Sequence, residues 1–284
     1  MNLHIELSPD HPGFRDPEYR RRRDTIATLA ERWRPGRVLP RAPYCPAEHA
    51  VWRELWAELQ DAHADGVCRE LLECERRLAL PADRIPQLRE VEAKLVATSG
   101  FRLAPVAGLV PARRFLSCLA DGRFLSTQYV RHASRPRYTP EPDVIHELVG
   151  HAGALGHPGI AHLSRRFGQV ARVVDEAGLV RLHRVYWFTL EFGLCEQDDG
   201  LRAVGAGLLS SVGELRGIES GPSLCGWDLE RIASTPYDTS RMQDRLFVAP
   251  SFAAMLRDVG AWLDHEQRGS SEPASSSRSL LHSA

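Results

Sequence analysis

The sequence predicts a mainly α-helical domain with a minor β component. Over residues 48–64, Val51, Trp52, Leu55, Trp56 and Leu59 recur at helical spacing, so this segment is expected to form an amphipathic helix with its tryptophans in the core. Residues 101–130 instead carry Gly, Pro and β-branched residues in short runs, which is typical of loops and short strands. Hydrophobic residues make up 43% of the chain, enough to bury a sizeable core.

The remaining helices are predicted from the same periodicity of apolar residues. The predicted helices cover residues 17–33, 48–64, 66–80, 85–98, 144–155, 160–176, 179–195, 228–233 and 252–264. The chain length suits a single domain, which we place at residues 17–266. Residues 1–16 are rich in Pro, Asp and Gly and are expected to be extended, and the Ser-rich residues 267–284 are expected to be disordered.

Composition argues against several classes of partner. The chain has 36 basic and 37 acidic residues, a formal charge of -1, which gives no support to nucleic-acid or membrane binding. The run Arg20 to Arg23 is interpreted as a solvated helix face because acidic residues flank it. The six cysteines follow no regular framework, and the N-terminus lacks the apolar stretch of a signal peptide. We therefore expect a cytoplasmic protein.

The run from His146 to His151 carries the first candidate ligands. It resembles the zinc-protease pattern in which two histidines are four apart, but here they are five apart. On a regular helix that spacing turns the side chains by about 140° instead of about 40°. Both histidines can reach one metal only if the turn is locally widened or the second lies at a frayed end, and Gly150 offers the backbone freedom for this. A zinc protease is therefore disfavoured.

Glu191 is the third candidate ligand. It is the single carboxylate in the apolar run from Tyr186 to Leu194, and Arg184 is seven residues away. An ionised glutamate in such surroundings is unfavourable by several kcal/mol unless it is paired or bound to a metal. Two histidines and one carboxylate form the facial triad of non-haem Fe(II) oxygenases, although zinc accepts the same ligands. Glu147 points elsewhere on a helix and is assigned to a supporting or cofactor contact.

Several ordered segments give the chain a specific resemblance. These are His11-Pro-Gly-Phe-Arg-Asp-Pro, Phe101-Arg-Leu-Ala-Pro-Val-Ala-Gly-Leu, Thr127-Gln-Tyr-Val-Arg-His, Tyr138-Thr-Pro-Glu-Pro-Asp, His146-Glu-Leu-Val-Gly-His, Tyr186-Trp-Phe-Thr-Leu-Glu-Phe-Gly-Leu and Gly205-Ala-Gly-Leu-Leu-Ser-Ser. Over residues 10–260 the sequence resembles the pterin-dependent aromatic amino acid hydroxylases. The resemblance implies the catalytic-domain fold of that family, with Fe(II) and a tetrahydropterin, either tetrahydrobiopterin or a bacterial equivalent, as cofactors.

The resemblance also implies roles for individual residues. His146, His151 and Glu191 would be the catalytic iron ligands. The pterin would contact Val106, Gly108, Leu109, Val110, Phe115, Leu116, Glu147 and Tyr186, with Phe115 stacked on its ring. Arg131 would bind the carboxylate of the amino acid, and Thr139, Pro140, Trp187, Gly207, Ser210 and Ser211 would shape the rest of the substrate site. Leu125 stands where some relatives carry His, so contacts there are expected to differ.

The substrate follows less directly from the resemblance. Trp187 and an apolar Val248 look most like members that convert L-phenylalanine to L-tyrosine with O2, whereas a tyrosine-directed member would be expected to offer a polar residue near Val248. Placement of the ring decides between para and meta products, and Cys195 and Ser210 are expected near that point. The alternatives are a phenylalanine 3-hydroxylase, a tryptophan or tyrosine hydroxylase, or an inactive relative that binds a metal or an amino acid.

The sequence also allows expectations about oligomeric state and regulation. The sequence shows neither the N-terminal regulatory domain of animal members nor a heptad helix at its end. A monomer without allosteric control by substrate is therefore expected. Its partners would be small molecules: the aromatic amino acid, O2 and the reduced pterin.

Overall fold

A computed structural model describes residues 7, 9, 11–137, 139, 141–198, 200–239 and 241–271. The helices are α1 (Pro17–Arg32), α2 (Pro46–Gly66), α3 (Arg69–Leu78), α4 (Leu88–Thr98), α5 (Ala112–Ala120), α6 (Gly153–Leu155), α7 (Pro158–Ala171), α8 (Glu176–Tyr186), α9 (Ala206–Leu209), α10 (Val212–Arg216), α11 (Leu229–Ser234) and α12 (Phe252–Ser271). The strands are β1 (Arg102–Pro105), β2 (Arg123–Ser126), β3 (Leu194–Gln197), β4 (Gly200–Ala203), β5 (Ser223–Gly226) and β6 (Arg245–Ala249). The expected mainly α-helical class with a minor β component is confirmed.

The N-terminal part differs from its prediction. Residues Pro12–Arg15 form a short 3-10 helix, and His11 before it is buried, so this end of the segment 1–16 is not extended. Asp16 then caps α1 by accepting hydrogen bonds from the backbone N–H groups of Glu18 and Tyr19. The solvated-face interpretation of the arginine run is wrong for Arg23, which is buried and lies 2.7 Å from Glu141. That ion pair ties α1 to the segment before the first histidine ligand.

Helix α2 follows the pattern that predicted it. Its five apolar residues at helical spacing are all buried, and the rings of Trp52 and Trp56 stack with centroids 5.5 Å apart. They belong to a hydrophobic cluster that extends along the chain from Leu39 to Leu263. The prediction that both tryptophans are core residues is confirmed.

The region 101–130 contains a helix that its composition did not predict. Strands β1 and β2 pair in parallel, with Arg102 opposite Arg123, and α5 connects them. Leu116 and Leu119 lie on the buried face of α5. The helix packs closely on α7, since a Cβ atom on Gly168 would lie 2.2 Å from the backbone N of Ala120. Long-range packing against α7 therefore stabilises a helix where the local sequence indicates loops and strands.

The helix expected over residues 179–195 ends early. Phe192 leaves the helical conformation, and a Cβ atom on Gly193 would lie 2.2 Å from the Thr189 carbonyl oxygen. Residues from Leu194 onward form β3 instead. This strand lies in a four-stranded sheet of order β4-β3-β6-β5, with β3 and β4 antiparallel and the other two pairs parallel. The sheet carries the chain away from Glu191 at the end of the preceding helix.

The C-terminal boundary also differs from its prediction. The predicted disordered tail starts at residue 267, but α12 continues to Ser271, and the rest of the tail lies outside the described residues. Within the described part of the chain, each helix is too short or too polar to span a bilayer.

Candidate iron and pterin site

Both histidine ligands lie in a π-helical segment, His146–Ala152, between two stretches of ordinary helical backbone. A π-helix places hydrogen bonds between residues five apart, so residues at that spacing face the same side. The rings of His146 and His151 lie with centroids 4.7 Å apart. The local widening that the five-residue spacing requires is therefore present.

Gly150 serves this turn differently from what the sequence indicates. It stays in helical conformation, so backbone freedom is not what it contributes. A Cβ atom at this position would lie 2.4 Å from the carbonyl oxygen of Ala206 in α9. Glycine is needed because the backbone of α9 packs directly against the turn that carries the histidines.

Glu191 ends a second π-helical segment, Trp187–Glu191, which continues from α8. Its Oε1 lies 3.1 Å from His146 Nε2, and its Oε2 lies 3.0 Å from His151 Nε2. Burial by itself raises the pKa of Glu191, but the two imidazoles outweigh it and hold the pKa well below its usual range. The predicted problem of an acid in an apolar helix is solved by the two histidines.

The three side chains fit a metal ion. One ligand atom from each lies within 4.8 Å of the other two. His146 Nδ1 lies 2.9 Å from Ser210 Oγ, and that hydroxyl donates to the carbonyl of Ala206 at 2.9 Å. Because the single hydroxyl proton is used there, Nδ1–H donates to Oγ, and the Nε2 lone pair is left for a cation. Two imidazoles and one carboxylate suit Fe(II) or zinc.

A cavity of about 380 Å³ opens onto this triad. Its wall includes most of the residues expected to bind cofactor and substrate: Val106, Gly108, Leu109, Val110, Phe115, Arg131, Thr139, Glu147, Tyr186, Trp187, Gly207, Ser210 and Ser211. Leu116 was expected in the pterin pocket but is fully buried in the core on α5. Pro140 lies outside the described residues.

One wall of the cavity is formed by residues that were expected to contact the pterin. Phe115 meets Tyr186 and Phe124 edge to face, with ring centroids 5.8 and 5.7 Å apart. Glu147 accepts hydrogen bonds from the backbone N and the hydroxyl of Thr127 at 3.0 and 2.9 Å. Burial raises the pKa of Glu147 despite the nearby histidines and Thr127. This wall therefore combines an aromatic face with a fixed polar group, as a flat heterocycle requires.

Arg131 lines the cavity and forms an ion pair with Asp143, a residue for which no role was predicted. Asp143 accepts from the backbone N, Nε and Nη2 of Arg131 at 2.8, 2.9 and 2.8 Å. Asp143 also accepts from the backbone N of His146 at 3.1 Å. Burial raises the pKa of Asp143, but Arg131 lowers it further, so the carboxylate stays ionised. The pair fixes the guanidinium and the start of the π-helical segment together.

The opposite wall is aromatic and polar. Trp187 lies against Phe192 with ring centroids 4.7 Å apart, and Tyr237 stacks on Trp187 with ring centroids 4.3 Å apart. Trp187 Nε1 donates to Gln243 Oε1 at 2.9 Å. Neither Phe192 nor Gln243 was predicted as a site residue. Phe192 directly follows Glu191 in the sequence, and this position could have indicated that it lies at the site.

Two residues expected near the substrate do not line the cavity: Val248, expected to bear on the choice of substrate, and Cys195, expected to bear on para or meta placement of the ring. Val248 is in β6 and does not line the cavity, so its apolar character says little about the substrate. Cys195 is fully buried in β3, also away from the cavity wall. The segment before β6 contributes Thr239, Arg241 and Gln243 to the cavity wall instead, and all three are polar. Ser210 does line the cavity, as expected.

Comparison with known proteins agrees with this site. The family model of the biopterin-dependent aromatic amino acid hydroxylases matches residues 1–271. Mouse (Mus musculus) tyrosine 3-monooxygenase is 43% identical over 87% of this chain and 51% of its own length. Phenylalanine-4-hydroxylase of Bos taurus is 42% identical over 89% of this chain and 57% of its own. The chain thus spans about half the length of these two curated relatives.

Solved structures match the fold as well. The phenylalanine hydroxylase of Chromobacterium violaceum with bound iron(III) and oxidised 7,8-dihydrobiopterin aligns with a TM-score of 0.73. It is 34% identical, and the alignment covers 81% of this chain and 85% of that one. The chain therefore belongs to the biopterin-dependent aromatic amino acid hydroxylases.

Proposed function

We propose that the protein is an iron- and tetrahydropterin-dependent monooxygenase that hydroxylates the ring of L-phenylalanine to give L-tyrosine. The observation that carries the proposal is the convergence of His146, His151 and Glu191 at one end of a cavity with aromatic walls. Iron bound there with a reduced pterin would supply the activation of O2. The chain's own residues bind, orient and shield the reactants.

The residues on the cavity walls would have different roles in the reaction. Phe115 offers a face for the pterin ring, and Glu147 offers a fixed polar group at its edge. Trp187 and Phe192 form the side against which a substrate ring packs. Arg131, oriented by Asp143, directs its guanidinium toward the amino acid carboxylate. Ser210 keeps the tautomer of His146 that leaves Nε2 free for the metal.

A second substrate assignment has an observation in its favour. The polar residues Thr239, Arg241 and Gln243 on the cavity wall suit a substrate that already carries a hydroxyl group, such as tyrosine. Relatives with similar identity carry both names, tyrosine 3-monooxygenase and phenylalanine-4-hydroxylase. We favour phenylalanine because the solved relative named above is a phenylalanine hydroxylase and the wall around Trp187 is aromatic.

The test is a product assay with a choice of substrates. The Fe(II)-loaded protein is given tetrahydropterin, O2 and equal amounts of L-phenylalanine, L-tyrosine and L-tryptophan, and the products are separated by chromatography. We expect para-tyrosine as the main product. Meta-tyrosine would assign a phenylalanine 3-hydroxylase, and dihydroxyphenylalanine or hydroxytryptophan would assign the other substrates. No hydroxylated product despite bound iron would favour a binding module without activity.

Two further expectations belong to this proposal. A monomeric state is expected, and light scattering on a sizing column measures it directly. A cytoplasmic location is also expected, and fractionation of the source cells tests it. A dimer or tetramer in solution would contradict the first without affecting the proposed reaction.

A further inference from the structure

The carboxylates of the cavity differ in what they contact. Among the described residues that line it, Glu141 pairs with Arg23, Glu147 accepts from Thr127, and Glu191 faces the two histidines. Glu214 lines the same cavity from α10, and its oxygens accept from the backbone N–H of Gln243 at 3.3 and 3.4 Å. Those are long, weak hydrogen bonds for a carboxylate.

Among the residues that the structure describes, Glu214 also forms no ion pair with an Arg, Lys or His side chain. Arg241 lines the cavity too, but its guanidinium lies between Asp238 at 3.4 Å and Asp244 at 3.1 Å. Burial raises the pKa of Glu214 to about 7, and only the Gln243 N–H opposes this. A partly buried carboxylate that lacks a charged partner is unfavourable for folding and marks a candidate functional group.

The position of Glu214 suits contact with an aromatic amino acid. Its backbone N donates to Ser211 Oγ at 3.3 Å, and Ser211 lines the cavity beside Ser210. Gln243 connects it to the aromatic wall, because the Gln243 side chain accepts from Trp187 Nε1. The carboxylate thus lies beside the wall against which the substrate ring would pack.

A bound amino acid is a zwitterion and needs partners of both signs. Arg131 supplies the cation for its carboxylate, and a matching anion is needed for its ammonium group. We propose that Glu214 is this anion: it binds the α-ammonium group of the aromatic amino acid, a role that rests on the proposed function. The charge of the ligand then compensates the carboxylate that the protein leaves without a cation.

A dependence on pH follows from this role. Only ionised Glu214 attracts an ammonium group, and its ionised fraction grows as the pH rises through its pKa of about 7. Binding of L-phenylalanine should therefore strengthen over that interval. Binding of 3-phenylpropanoate, which lacks the ammonium group, should not strengthen.

The test combines one substitution in the protein with one deletion in the ligand. The anaerobic Fe(II)-loaded protein is titrated calorimetrically with L-phenylalanine, 2-phenylethylamine and 3-phenylpropanoate, so no turnover is needed. Glu214→Gln keeps the shape of the side chain and removes its charge. We expect it to weaken binding of the two amines about 10- to 100-fold, the size of one charge-assisted hydrogen bond, and to leave 3-phenylpropanoate within about twofold. Glu196→Gln, on the exposed part of β3, is the matched control and should change neither.

The outcomes separate this inference from the proposal beneath it. Equal affinity of the Glu214→Gln variant and the wild type for L-phenylalanine would overturn the role of Glu214 while the proposed function stands. Equal weakening for all three ligands would also overturn it, since it would indicate a distorted cavity. Failure of the wild type to bind any aromatic amino acid would overturn both. The pH series on the wild type gives an independent check that needs no variant.

Discussion

The buried contact between His63 and Glu75 lies next to the chain segment that carries Ser210, so a substitution there tests how that segment is stabilised. His63 lies in the last turn of α2 and is 2% exposed. Its Nδ1 lies 2.8 Å from Glu75 Oε2, and its Nε2 lies 2.7 Å from the carbonyl oxygen of Leu209. Burial raises the pKa of Glu75, but hydrogen bonds from His63 and Gln60 lower it further, so Glu75 is ionised. Both ring nitrogens of His63 therefore face oxygen acceptors.

The expected magnitude follows from what a substitution would leave behind. His63→Phe removes both ring nitrogens, leaving the Glu75 carboxylate and the Leu209 carbonyl without their imidazole partner. Breaking a buried pair destabilises by about 3–5 kcal/mol, and a carbonyl left without a partner adds about 1 kcal/mol. The Glu75 side chain is 15% exposed and keeps its contact with Gln60, which reduces the first contribution. We expect the free energy of unfolding to fall by about 3 kcal/mol.

Urea unfolding of the metal-free protein, followed by circular dichroism, measures this change. The double variant His63→Phe/Glu75→Leu should recover most of the loss, because an apolar pair of similar size replaces both polar side chains. A loss below about 0.5 kcal/mol in the single variant would refute the reasoning. So would a double variant as unstable as the single one. Leu209 directly precedes Ser210, so the single variant should also weaken the contact that orients His146.

Three other predictions concern the ligands, the π-helical turn and pH. Glu191→Gln should lower the Fe(II) content of the purified protein to near background with unchanged circular dichroism; retention of one iron per chain would contradict the assigned triad. Gly150→Ala should lower the free energy of unfolding by about 1–3 kcal/mol and weaken metal retention, because its Cβ would meet the Ala206 carbonyl. Gly153→Ala, where a Cβ would meet nothing within 4 Å, is the control and should raise the free energy of unfolding by about 0.4–1 kcal/mol, because alanine restricts the unfolded chain more than glycine does. Burial and then Arg23 lower the pKa of His11 from 6.5 to about 4, so the unfolded chain binds a proton that the folded one does not, and stability should fall as the pH drops across that interval. His11→Asn should flatten that part of the pH profile, and profiles of equal slope would count against a buried neutral His11.

The ligand triad could be predicted because its parts are local in the chain. His146 and His151 lie five residues apart, and Glu191 stands out as an acid in an apolar run, so spacing and polarity alone identify them. The residues that support the triad were harder to predict. Asp143 was part of a quoted motif, but its three bonds to Arg131 appear only when the loop between them is folded. The carbonyl that excludes a side chain at Gly150 comes from α9, more than fifty residues later.

The substrate contacts, too, could be predicted only in part from the sequence. Val248 and Cys195 were expected near the substrate because of the family resemblance, but strand pairing places them in the sheet and core. Thr239 and Gln243 reach the cavity from a segment without helix or strand, and Glu214 reaches it from the short helix α10; no periodicity in the sequence indicates either position.

The sequence by itself determined the helical class, the amphipathic stripe of α2, the three candidate metal ligands and the family. Each of these depends on residue type and spacing over a few turns, where backbone geometry is regular. Only the tertiary structure decided the widened turn at the histidines, the orientation of Arg131 by Asp143, and the placement of Glu214 without a cation. These depend on contacts between distant segments, and the energy of a buried polar group is set by the neighbours that folding brings to it.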